Sequence, residues 1–144
     1  MHVGDPGSVA REIEHTADVG FEVEAPTLAA LFERAGLALL GFMIALDAVE
    51  PRERVPLETR ADDAVGLLHD WLHALVVLFQ ARGIALSELT VDDVSATAVR
   101  GWGAGERVDR ARHVLYTEVK GVSYHELAVR QMPAGWWARV ILDV

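Results

Sequence analysis

The sequence predicts an α+β domain of two layers, a mixed and mostly antiparallel sheet covered by two helices. Three observations carry that expectation. Short alternating apolar runs occur at both ends of the chain. Two longer segments between them repeat apolar residues at helical spacing. The order is strands, helix, strand, helix, then a meander of strands. The chain has 144 residues, 51% of them hydrophobic, which suits one domain with a substantial core. No repeat, linker or low-complexity run divides it. Residues 1–10, with Gly4, Pro6 and Gly7, read as a loose flexible tail, and 11–144 as the domain.

Taken in order, Ile13 and His15 alternate with Glu12 and Glu14, and Val19, Phe21 and Val23 alternate with Glu22 and Glu24, so both stretches read as half-buried strands. Thr27 is placed to cap a first helix whose buried face is Leu28, Leu31, Phe32, Ala35, Leu39, Phe42 and Met43. Val55, Leu57 and Thr59 suggest a strand, and Pro56 assigns it to a sheet edge. Asp62 or Asp63 caps a second helix with Leu67, Leu68, Trp71, Leu72, Leu75, Leu78 and Phe79 on one face. Arg82 and Gly83 end it, one complementing the helix dipole and the other supplying a left-handed cap. Strand-like runs follow near 89–92, 94–100, 113–120, 124–131 and 136–143. Gly101, Gly103 and Gly105 read as a break and a flexible hairpin tip, and Pro133 and Gly135 as a second turn.

Composition narrows the function. There is no cysteine, which excludes disulfides and thiolate metal sites and fits a reducing cytosol. The apolar runs read as too short to cross a bilayer, and the first residues lack a basic start followed by an apolar stretch, so no export signal is visible. Acidic residues outnumber basic ones, 22 to 13, for a net charge of −9. Phosphate binding needs clustered Lys and Arg, so direct binding of RNA or DNA is not expected. A cation or a basic protein surface complements such a chain, although acidity also serves plain solubility.

Two places could carry chemistry. Glu14, His15 and Asp18 lie near the junction of two strands, where Asp18 either caps a turn or faces a pocket as a base or metal ligand. At the other end, Asp143 is followed only by Val144, whose α-carboxylate would stand one residue away. Were Asp18 to join them at about 5 Å, each pair of charges would repel by roughly 3 kcal/mol at an effective dielectric near 20. The cluster would then need a proton or a cation, and an all-oxygen set favours calcium, magnesium or manganese. His69 and His73 have the spacing of a helical metal pair, but nothing nearby completes a set, and solvated surface histidines are the plainer reading. Lys120 lies in an apolar run and reads as exposed, paired with Glu118, or as a cation near the carboxylates. Tyr124 and His125 read as packing residues, His125 also as a group able to titrate near neutrality. No serine has a nucleophile-elbow context, and GWGAGE lacks the Lys and Ser/Thr of a phosphate loop.

Taken together, EHTADVG, TLAALFERAG, LLHDWLHAL, GERVDRARH, EVKGVSYHEL and the closing ILDV resemble the archease family, in order from about residue 12 to residue 144. The resemblance implies an archease-like fold and a non-enzymatic accessory protein of the RtcB-type RNA ligase. Such a protein promotes guanylylation and repeated turnover of the ligase in tRNA splicing or RNA repair. It also implies a metal, commonly calcium, whose ligands fall on Asp18, Asp143 and Val144, and it assigns activity to Lys120. Ser123 stands where the family usually has threonine. Two alternatives are a chaperone-like modulator of another RNA-modifying enzyme, such as a tRNA methyltransferase, and a small metal-dependent hydrolase acting alone.

Overall fold

The structure, a computed structural model, describes residues 11–14 and 18–144, with side chains from Val19 onward. The tail expected over 1–10 and the position of His15 lie outside the described residues. The elements are β1 (Arg11–Glu14), β2 (Asp18–Ala25), α1 (Leu28–Met43), β3 (Glu53–Arg60), α2 (Ala64–Arg82), β4 (Ile84–Val94), β5 (Ala98–Arg107), β6 (Gly121–Met132) and β7 (Gly135–Asp143). The α+β class, the predominance of antiparallel pairing and the two helices agree with the sequence reading. The strands, however, divide between two sheets, ordered β1-β2-β7-β6 and β3-β5-β4, and every pairing in them is antiparallel.

Helix α1 touches β2 and β7 of one sheet and β4 of the other, and α2 touches β6 as well as β3. The helices therefore lie against both sheets, which explains why α1 is buried well beyond one stripe, at Gly36, Ala38 and Leu40 as well as at every expected position but the half-buried Leu28. The Thr27 hydroxyl accepts from Ala30 N at 3.1 Å, and the Asp63 carboxylate accepts from Gly66 N at 2.7 Å. Gly83 closes α2 at φ 64°, where a Cβ would be strained. Trp71 fixes the helix pair: its indole donates to Phe32 O at 3.0 Å, and its ring lies 6.2 Å from that of Phe32. With 19 residues and a mean hydropathy of 1.4 in its most apolar window, α2 has the length and composition of a membrane span, contrary to expectation. Leu67, Leu68, Trp71, Leu72 and Leu75 instead place it in the core.

Two further sequence expectations are corrected. Gly101, Gly103 and Gly105 do not form a hairpin tip; they lie inside β5, the central strand of its sheet. A Cβ at Gly101 would collide with Thr90 O and one at Gly105 with Ala85 O, because β4 pairs with β5 there beside register shifts at Leu86/Glu88 and Val91/Asp93. The turn between these strands is at Ser95, whose N donates to Ala98 O at 2.9 Å. The second correction concerns 113–120, which is not a strand but a strap across the end of α1. Tyr116 N and Thr117 N donate to Met43 O and Phe42 O, and Ala45 N donates to Val114 O, each at 2.9 Å. The first two bonds satisfy carbonyls that a helix end leaves open. The alternation read there persists in exposure: Val119 is buried, while Tyr116, Glu118 and Lys120 are exposed.

Candidate metal centre at the β2–β7 strand end

Strand β7 lies between β2 and β6. Its last residue, Asp143, has Asp18, the first residue of β2, as partner on one side and Gly121, the first residue of β6, on the other. One step further in, Val19, Leu142 and Val122 form a buried row across the same three strands. This apolar row anchors the strand ends, so the polar residues beyond it stand on a rigid floor. Lys120 N donates to Asp143 O at 2.8 Å, which ties the strap to the end of β7. The side chains of Asp143 and Lys120 are exposed, and Val144 is 37% exposed. A Cβ built on Gly121 would meet only Asp143 Oδ2, at 3.9 Å, so space is left beside that carboxylate.

The fold thus brings Asp18, Asp143, Val144 and Lys120 to one end of one sheet. The donors there are oxygens of the hard-cation kind, and the directly opposed backbone register of the two aspartates fits a shared ion. The side chain of Asp18 lies outside the described set; among the described residues no group of three or more His, Asp or Glu forms a metal cluster. Lys120 is also the only lysine in the chain, the other basic residues being arginines. Among the described residues it is exposed and has no ion pair, so of the readings open from the sequence the pairing with Glu118 is not seen.

A second polar constellation escaped sequence reasoning. The Glu106 carboxylate, buried at the end of β5, accepts from Arg112 Nη2 at 2.7 Å, from His113 Nε2 at 3.0 Å and from Glu50 N at 2.9 Å. Asp109 N donates to His113 Nδ1 at 2.8 Å, so the buried imidazole is neutral and carries its hydrogen on Nε2. The Arg112 guanidinium above all, with Glu50 N and His113, lowers the Glu106 carboxyl from its ordinary value to about 2. The signal lies in GERVDRARH, but no spacing rule links its Glu, Arg and His. The network fixes the start of the strap that delivers Lys120.

His69 is not the solvated histidine expected. Its Nε2 donates to Val122 O at 2.9 Å, its Nδ1 faces Asp70 Oδ1 at 3.0 Å, and its side chain is only 14% exposed. His73 is exposed and stacks on it at 6.0 Å. Tyr124 and His125 are not packed in the core either: they are 63% and 71% exposed.

Two antiparallel sheets enclosing two helices, with the ends of β2 and β7 paired at a carboxylate-bearing edge, define an archease-type domain. The archease protein family model matches residues 11–144, and the chain belongs to that family. The protein archease of Methanopyrus kandleri is 40% identical over 92% of this chain and 97% of its own length. That of Thermococcus gammatolerans is 31% identical over 91% and 95%. Among solved structures, the solution structure of Methanobacterium thermoautotrophicum protein 1598 superposes with a TM-score of 0.78 at 28% identity, covering 94% of this chain and 98% of that one. A Thermotoga maritima archease, described as a possible chaperone, superposes with a TM-score of 0.65 at 19% identity, covering 100% and 99%, a likeness of fold.

Proposed function

We propose that this protein is a non-catalytic accessory factor of an RtcB-type RNA ligase in the cytoplasm, promoting its guanylylation and repeated turnover in tRNA splicing or RNA repair. In this reading Asp18, Asp143 and Val144 hold a divalent ion, calcium foremost, with magnesium or manganese as alternatives. The bound ion would supply positive charge for ordering the ligase site. Lys120 contributes a compact cation to nucleotide phosphates or to an acid of the ligase. The net charge of −9 steers docking toward a surface built for RNA and nucleotide. The observation that carries the reading is the pairing of Asp18 with Asp143 at the end of three strands, next to the bond from Lys120 N to Asp143 O. Asp18→Ala should abolish stimulation of ligase guanylylation with an unchanged circular dichroism spectrum; full stimulation by the variant would refute the site.

A second reading, a chaperone-like modulator of another RNA-modifying enzyme such as a tRNA methyltransferase, draws on the description of the Thermotoga maritima relative as a possible chaperone. Affinity capture from the native cytosol separates the two: a methyltransferase recovered without any ligase favours the second.

A further inference from the structure

Strand β6 leaves register with β7 between Ser123 and Ala128, so that Tyr124 to Leu127 stand opposite Val140 alone. Glu126, inside this bulge, has φ 57° and is the only non-glycine with a positive φ among the described residues. Such a conformation is strained at a non-glycine residue. An ion pair from Arg139 Nη1 at 2.9 Å and a contact from His125 Nε2 at 3.1 Å hold Glu126 there. The bulge projects Tyr124 over α2, where its ring lies nearly parallel to that of His69, with 3.8 Å between centroids and 13° between planes. Both nitrogens of His69 are engaged, by Asp70 and by Val122 O, so the ring beneath Tyr124 is fixed. Tyr124 is thus an aromatic side chain that is both 63% exposed and preordered. Interfaces use such residues as anchors, because little side-chain freedom is left to lose on binding.

Tyr124 also lines a groove shared with Ala61, Asp62, Asp63, Val65 and Asp70. Its one cation, Arg60, lies 3.9 Å from Glu58. An aromatic face bordered by carboxylates complements a guanidinium, which stacks flat on the ring while its N–H groups reach the acids. We infer that Tyr124, backed by His69, is the docking point for an arginine side chain of a basic protein partner, seated in the groove between the start of α2 and the β6 bulge. This inference does not depend on which enzyme the partner is.

The test is a titration of isotopically labelled protein with a hexa-arginine peptide, followed by NMR, alongside the Tyr124→Phe, Tyr124→Leu and His69→Ala variants. Saturable shifts are expected at Tyr124, Asp70 and Asp62. Affinity should fall about tenfold in Tyr124→Leu, stay near wild type in Tyr124→Phe, and be intermediate in His69→Ala. Melting temperatures verify that each variant is folded. Shifts spread evenly over the acidic surface, or equal affinity of Tyr124→Leu and wild type, would overturn the site.

Discussion

At the scale of single residues, Glu106 and Lys120 carry opposite lessons. Glu106 is a structural charge. Its carboxyl is held down to about 2 by Arg112, the Glu50 amide and His113. A folded value below the unfolded one means that ionised Glu106 stabilises the protein above roughly pH 4.5, and that this contribution fades as pH falls toward 2. Glu106→Gln should therefore melt below wild type at pH 7, and the gap should close between about pH 5 and pH 2; thermal melts across that range check the sign. Lys120 is a functional candidate whose amine forms no ion pair among the described residues. Because it is exposed, Lys120→Arg should change stability by no more than about 0.5 kcal/mol. A chain that otherwise uses only arginine for its fixed positive charge keeps a lysine here. An arginine at 120 should therefore fail to restore ligase stimulation, and restoration to the wild-type level would reduce Lys120 to a generic charge.

At the scale of elements, β5 is the most constrained. Gly105→Ala should cost at least about 1–3 kcal/mol, because the added Cβ meets the backbone of β4 rather than a side chain that can turn away. Urea unfolding measures it, and an unchanged midpoint would contradict the tight β4–β5 pairing. That strand also shows where sequence reasoning stops. Both helices were legible down to Thr27, Gly83 and one of the two candidate caps of α2, since their signals are local. The glycines of β5 look like a turn from the sequence because what demands them is a neighbouring strand. The strap over 113–120 has a strand's alternation but pairs with the end of α1, so its period was right and its partner was not visible.

At the scale of the whole molecule, the candidate site is a product of topology. Asp18 and Asp143 come from opposite ends of the chain, and no spacing rule joins them; only the β2–β7 register does. The sequence marked both residues as unusual, and the family resemblance linked them. The stack of His69 on Tyr124 escaped notice because it depends on a bulge in β6 that the run SYHELAV does not announce. The most direct measurement of the central claim is an anomalous-difference map from crystals soaked in manganese. A shared ion predicts one strong peak bridging the Asp18 and Asp143 carboxylates near Val144. No density between them, with manganese bound elsewhere or not at all, would contradict it.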